Sequence, residues 1–396
     1  MNQYDPDIVS MPINPEWIDI RDAVGRLCEG FENAYWLKLD KEDAYPHEFV
    51  SALTESGFLG ALIPEEYGGS GLPISAACAV LETIHAKGCN AAACHAQMYT
   101  MGTVLKHGSE EQKQKYLPKI AIGELRLQAF GVTEPTTGSD TTQLKTKAEK
   151  TDRGTYIVNG QKVWTSRAFE SDLMLLLART TPSGQCAKRS DGMSVFLIDM
   201  NEAKKNGLSL SKIDAMINHN TCEVFFDNVE IPADTLVGEE GKGFRYIVDS
   251  MNAERILIAS ECIGDAKFFI EKACAYANER SVFGRPIGAN QGIQFPIAEA
   301  YAKAQAAELM VTKAAAMFDA GEKAGAEANM AKLLAADASW ACAEVCMQTY
   351  GGFAFACEYG IERKWREARL YQTAPISKNM IFGFLGQHVL GLPRSY

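Results

Sequence analysis

The run Met251-Asn252-Ala253-Glu254-Arg255-Ile256-Leu257-Ile258 places a Glu-Arg pair inside an otherwise apolar, helix-patterned stretch. At a bundle surface such a pair is an ordinary salt bridge. In apolar surroundings a carboxyl group resists ionisation, which suits it to taking a proton near neutral pH. A second stretch, Gly131-Val132-Thr133-Glu134-Pro135-Thr136-Thr137-Gly138-Ser139-Asp140, gathers hydroxyls, small residues and a Pro at the end of an expected strand. It reads either as a plain turn or as a loop offering N–H groups and hydroxyls to the polar edge of a cofactor. In Gln161-Lys162-Val163-Trp164-Thr165-Ser166 an indole stands beside two hydroxyls. A strand Trp packs in a core or lays its flat face on a ring system. Gly238-Glu239-Glu240-Gly241-Lys242-Gly243 lacks the phosphate-loop spacing and reads as a turn.

Other chemistries are disfavoured by spacing and charge. The 11 Cys are scattered without a C-x-x-C pair, as expected of reduced, mostly buried thiols rather than a disulfide framework. The 6 His form no H-x-H or H-E-x-x-H pattern, so no metal site is expected. Lys plus Arg number 39 against 50 Asp plus Glu, a net charge of −11 with no basic block, which disfavours nucleic acid. The acidic start Met1-Asn2-Gln3-Tyr4-Asp5-Pro6-Asp7 lacks an apolar signal core, and no apolar run reaches membrane-spanning length. The expectation is a cytoplasmic protein with no membrane contact.

The elements that must hold these residues fall into three textures, an α+β multidomain arrangement. Residues 1–126 are helical, with segments starting at Pro46, from Ile74 to His85, from Ala91 to Leu105 and from Glu110 to Leu117. Residues 127–238 carry short strands: Leu127 to Thr133, Leu144 to Lys150, Thr155 to Val158, Gln161 to Thr165, Leu173 to Ala178, Ser194 to Ile198, Leu208 to Ile213 and Glu223 to Ile231. Asn159-Gly160 signals a tight hairpin, and the set suggests a small barrel or sandwich. Residues 239–396 return to helices, at 243–280, 293–320, 325–349 and 376–390, which is a four-helix bundle by pattern. With no βαβ alternation and no G-x-G-x-x-G after a strand, a Rossmann fold is not expected.

Taken in order, Val132-Thr133-Glu134-Pro135 with Gly138-Ser139-Asp140, Asn159-Gly160-Gln161-Lys162-Val163-Trp164, Arg280-Ser281-Val282-Phe283-Gly284 with Gln291, Gln348-Thr349-Tyr350-Gly351-Gly352, and Arg366-Glu367-Ala368-Arg369-Leu370-Tyr371-Gln372 resemble the acyl-CoA dehydrogenase family. The resemblance runs from roughly residue 15 to the C-terminus. It implies an N-terminal helical domain, a middle β-barrel, a C-terminal four-helix bundle, and a homotetramer with one non-covalent FAD per subunit. By the same resemblance the loop Phe130 to Ser139, including Val132, Thr133 and Gly138, would line the flavin with Trp164, Thr165 and Ser166. Ser166 would sit near N5 and Thr133 at the pyrimidine edge. Arg280, Phe283, Gln291, Gln348, Gly351 and Gly352 would contact a neighbouring subunit's FAD, the guanidinium suiting its diphosphate. Ser377 counts with the cofactor contacts. Ser139, Asn252 and Arg255 would meet the acyl-CoA, and the run Ala91 to Met101 would line or back the acyl pocket.

The family's reaction is α,β-desaturation of an acyl thioester. A carboxylate takes the α-proton while the β-hydrogen leaves as hydride. In many members the base is a Glu shortly after the Tyr-Gln segment, but here the aligned position is Pro375. Isovaleryl-CoA and long-chain dehydrogenases carry the Glu on a bundle helix instead, and the matching residue is Glu254. Pro375 also lacks the backbone N–H that family members aim at the thioester carbonyl. Losing one such donor costs about 3 kcal/mol of transition-state stabilisation. Ala374, Ile376 or Ser377 would have to compensate. The leading expectation is an FAD-dependent acyl-CoA dehydrogenase serving an electron-transfer flavoprotein. The rivals are an acyl-CoA oxidase or enoyl-CoA reductase on the same fold, and a non-catalytic acyl-CoA- or flavin-binding member.

Overall fold

A computed structural model describes residues 15–394; the acidic start Met1–Asp7 lies outside them. In chain order the helices are α1 (Ile18–Glu29), α2 (Asn33–Glu42), α3 (His47–Glu55), α4 (Ile74–Ala86), α5 (His95–His107), α6 (Glu110–Ala121), α7 (Met200–Lys204), α8 (Gly243–Glu279), α9 (Gln291–Asp319), α10 (Gly325–Tyr350), α11 (Ile361–Leu370) and α12 (Lys378–Phe384). The strands are β1 (Leu127–Gly131), β2 (Lys147–Lys150), β3 (Tyr156–Ser166), β4 (Leu173–Arg179), β5 (Met193–Asp199), β6 (Leu208–Lys212), β7 (Thr221–Ile231) and β8 (Leu236–Val237), followed by the short pair β9 (Ser281–Val282) and β10 (Arg285–Pro286). No helix among the described residues is long and apolar enough to cross a membrane. The chain packs as two compact units, Asp43–Leu72 with Ala92–Ala253, and the remainder including Pro73–Ala91 and everything from Glu254.

In the first of these units the strands pair in the order β6-β7-β3-β2-β4-β5-β8, with β1 running parallel to β4. Strands β2 and β4 share only the pair Lys147↔Arg179, so two well-bonded groups of strands meet at a narrow seam. Between them lies a core of alternating inward residues that includes Tyr156, Val158, Met174, Leu176, Phe196, Ile198, Val224 and Phe226. The opposite residues of β4 and β5, Leu173, Leu175, Leu177, Val195 and Leu197, pack with Met101, Val104, Leu117 and Ile120 of α5 and α6. Helix α6 starts at a capping box in which Ser109 and Gln112 satisfy each other's backbone N–H groups.

The expected hairpin at Asn159-Gly160 is absent, because β3 runs straight through it. The register against β7 slips between Val158 and Gly160, which makes the dipeptide a bulge. Gly160 has φ 146°, and a Cβ there would stand 2.5 Å from Thr146 Oγ1. Asn159 holds the bulge by accepting from the Asn228 backbone N–H at 2.9 Å.

In the other unit α9 and α10 pack against each other, and both bury small residues, among them Ala300, Ala304 and Ala307 on α9 and Ala331, Ala335 and Ala338 on α10. The expected fourth helix at 376–390 is divided: α12 ends at Phe384 and a π turn follows at Leu385–Val389. Helix α11, unannounced by the pattern because it is mostly charged, packs on α10. A fully buried ionic cluster ties α4, α8 and α11 together. His85 Nδ1 lies 2.8 Å from Asp265, Lys364 pairs with Asp265, and the Tyr371 hydroxyl donates to Glu261 at 2.9 Å.

Candidate active site

The loop after β1 is anchored from beneath. Lys162, wholly buried on β3, donates to the Val132 carbonyl at 3.1 Å and to Glu134 Oε1 at 2.9 Å. Glu134 also accepts from the backbone N–H groups of Lys145 (2.6 Å) and Thr146 (2.9 Å). Burial pulls the Lys162 ammonium down to about 8, against the support of Glu134. Burial opposes the Glu134 charge too, but Lys162 and the N–H donors more than offset it and hold the carboxyl below its usual range. The Val163 N–H donates to the Thr133 carbonyl at 2.9 Å. So braced, the loop leaves Gly138 and Ser139 exposed, and Phe130, Val132 and Thr133 half-buried.

Beside this loop β3 bulges again between Lys162 and Thr165. Trp164 takes φ 61° and stands 60% exposed, so it is not a core residue. Its indole is a free flat surface. Ser166 is half-buried and open to a partner, whereas the Thr165 side chain is enclosed, which restricts Thr165 to backbone contacts. Asn252, on α8, is half-buried.

The bundle unit has a cleft of about 490 Å³ lined by Tyr276, Arg280, Val282, Thr349, Tyr350 and Gly352, among others. The rings of Tyr276 and Tyr350 stack at 4.1 Å, and the Arg280 guanidinium lies 5.7 Å from the Phe353 ring centroid. Arg280 and Gly352 thus share one cleft. Gln348 and Gly351 are exposed beside it, and Phe283 and Gln291 are exposed outside its lining.

Glu254 and Arg255 are 6% and 7% exposed on α8, in a stretch whose next residues, Ile256 and Leu257, are fully buried. An exposed surface pair is therefore ruled out. Burial depresses Arg255, with Glu254 acting in the opposite sense. The segment Pro375 to Ser377 is half-buried, and neither Ile376 nor Ser377 donates its backbone N–H to another described residue. One buried cation that sequence reasoning missed holds this segment: Lys332 on α10, 0% exposed, donates to the Ile376 carbonyl at 2.8 Å. Burial lowers its ammonium to about 8. A lone Lys in an Ala-rich helix gives no sequence signal, since its partner is a backbone atom 44 residues away.

The chain thus carries a helical segment, a β module and a helical bundle, with a polar loop held by buried Lys162 and an exposed indole two residues further along the same strand. The sequence matches the acyl-CoA dehydrogenase N-terminal domain over residues 14–124, the middle domain over 129–229 and the C-terminal domain over 241–375. The chain belongs to the acyl-CoA dehydrogenase family. It is 33% identical over 380 residues to the acyl-CoA dehydrogenase FadE12 of Mycobacterium tuberculosis, covering 95% of this chain and 96% of that one. It is 32% identical over 355 residues to the acryloyl-CoA reductase (NADH) of Anaerotignum propionicum, covering 87% and 88%. Its fold matches the structure of a glutaryl-CoA dehydrogenase in complex with glutaryl-CoA, with a TM-score of 0.89 at 31% identity over 97% of this chain and 98% of that one. The protein is an oxidoreductase of a family that uses FAD. The residues here fit that group: an exposed Arg beside an aromatic cleft suits a diphosphate and adenine, and the Trp164 indole suits a flat ring.

Proposed function

We propose that this chain binds FAD and desaturates an acyl-CoA to its trans-2-enoyl-CoA, with Glu254 as the base. The observation that carries the assignment is a carboxylate withdrawn from solvent on an apolar helix face, while Pro375 occupies the alternative base position. Glu254 takes the proton as the α-C–H bond breaks, the β-hydrogen departs with its electron pair, and the C=C bond forms. When bound, FAD supplies the hydride acceptor. Phe130, Val132, Thr133, Gly138, Ser139, Trp164, Thr165 and Ser166 would line it; Arg280, Phe283, Gln291, Gln348, Gly351 and Gly352 would hold a neighbouring subunit's FAD in a homotetramer. Ser139, Asn252 and Arg255 would meet the acyl-CoA. The open N–H groups of Ile376 and Ser377 replace the donor that Pro375 lacks, and Lys332 keeps their segment in place.

The test is anaerobic flavin bleaching by acyl-CoA in Glu254→Gln. The variant keeps size and hydrogen bonding but has no carboxylate to accept a proton, so single-turnover reduction falls by roughly 10²–10⁴-fold while yellow colour and acyl-CoA binding persist. Wild-type reduction rates in the variant would place the base elsewhere. Electrons then pass to an electron-transfer flavoprotein. Because one relative is named as a reductase, reoxidation by that acceptor, by oxygen and by NAD is measured side by side.

A further inference from the structure

Arg167 follows directly on Ser166 in a left-handed backbone conformation (φ 56°), an expensive setting for a residue with a side chain. It is 2% exposed. Its guanidinium lies 5.6 Å from the Tyr45 ring centroid, and Nη2 donates to the Asn218 carbonyl at 3.0 Å. Nε and Nη1 are both buried and find no acceptor among the described residues. The acidic side chains that bear on its charge, Asp43 and Glu170, are engaged with Lys212 and His47 instead. A buried guanidinium with one carbonyl for a partner is held against a large desolvation cost, which an anion would relieve.

Two buried imidazoles, His219 and His95, stand near it. His219 is 8% exposed, its ring 6.4 Å from that of His95, and it makes no hydrogen bond to another described residue. Burial, then the charges of Arg167 and His95, push its imidazole well below the ordinary range, so it stays neutral with one N–H to give. His95 lies 5.7 Å from the Tyr99 ring, and Tyr99 lies 6.3 Å from Phe130, ring centroid to centroid. His95 and Tyr99 belong to the Ala91 to Met101 run expected to back the acyl pocket, Arg167 follows Ser166 in the chain, and Tyr99 links the cluster to Phe130.

We propose that Arg167, His95 and His219 bind a carboxylate carried by the acyl group, so that the substrate is the mono-CoA thioester of a dicarboxylic acid. This rests on the reading that the unit receives the acyl chain. The free Nε–H and Nη1–H lie on different edges of the guanidinium, so a carboxylate would pair with one of them together with the second N–H of Nη2, whose first is given to the Asn218 carbonyl. A purely aliphatic tail would leave those donors unpaired, and a site built to hydrogen-bond a substrate group discriminates strongly against analogues lacking it.

Two arms test this with the FAD-loaded protein. Calorimetry compares redox-inert S-alkyl-CoA thioethers ending in a carboxylate with those ending in a methyl group, over a series of chain lengths. One carboxylate-ended length should bind roughly 10²-fold tighter than its methyl counterpart, with the preference lost in Arg167→Met and partly kept in Arg167→Lys. Anaerobic bleaching with dicarboxylic and plain acyl-CoAs should show the same preference. Equal binding of both thioether series overturns the proposal, whatever the bleaching shows. A thioether preference without bleaching by any acyl-CoA leaves the anion site standing and sinks the dehydrogenase reading. The wild-type comparison needs no variant to fold.

Discussion

Lys162→Met removes the cation beneath the Val132–Asp140 loop while preserving most of the side chain's volume. The wild-type ammonium is fully buried and has two acceptors, Val132 O and Glu134 Oε1. In the variant Glu134, 4% exposed, keeps its two backbone N–H donors but loses its counter-charge. Breaking a buried pair by removing one partner costs about 3–5 kcal/mol. At about 2–4 °C per kcal/mol for a large domain, that is a fall of roughly 6–20 °C in melting temperature. The pH dependence gives an internal check. In the wild type the Glu134 carboxyl is depressed, so its contribution is present above the unfolded value and lost as pH falls through the folded one. Without Lys162 the same burial acts unopposed by the ammonium, so the variant's deficit is greatest at neutral pH and closes as the medium is acidified. Lys162→Met combined with Glu134→Gln removes both charges and should recover much of the loss. Thermal melts of the flavin-loaded protein, followed by flavin fluorescence across pH, measure all of this. A single variant that melts within about 2 °C of wild type, with no convergence at low pH, would refute the claim that the pair braces the loop.

Lys332→Met should leave the Ile376 carbonyl without its donor and slow flavin reduction more than it weakens acyl-CoA binding, a split read by single-turnover kinetics across substrate concentration. The Lys332 ammonium is depressed to about 8 in the fold, so between pH 8 and about 10.5 the unfolded chain binds more protons and wild-type stability relative to the variant should rise with pH, as melts at both ends of that window would show. Gly160→Ala forces a Cβ against Thr146 at positive φ and should lower stability by about 1–3 kcal/mol in a chemical denaturation series; an unchanged midpoint would mean the bulge is soft. Phe283 and Phe355, 102% and 77% exposed on the bundle unit, are apolar surface suited to subunit contacts; light scattering should give about four times the 43.3 kDa chain mass, and a monomer with full flavin occupancy would contradict the shared site.

Much of the architecture was legible because it is written in local periodicity. The short apolar runs of β4 and β5, the 3.6-residue spacing of α8 to α10, and the Pro46 helix start depend on neighbours a few positions away. The chemistry-bearing loop at 131–140 and the Trp164 motif were visible for the same reason: unusual residue types stand close together in the chain. Asn159-Gly160 misled because the dipeptide fits a tight turn and a bulge equally well. Which one forms was decided by β7 on one side and Thr146 on the other. Helix α11 escaped because, besides ion pairs within the helix, its Arg366, Lys364 and Arg363 reach Asp40, Asp265 and the Gly88 carbonyl, none of them near in sequence.

By itself the sequence determined the order of helical, β and helical segments, the family to which the chain belongs, and the two facts that frame the chemistry: a Glu at 254 and a Pro at 375. Whether Glu254 lies at a surface or in an apolar interior, whether Trp164 faces a core or stands open, and which distant groups meet Lys162, Lys332 and Arg167 were settled only by the tertiary fold. The reason is physical. A motif specifies which atoms are available, but the cost of a charge depends on the dielectric around it and on partners brought together by packing. Those partners lie tens to hundreds of residues apart in the chain.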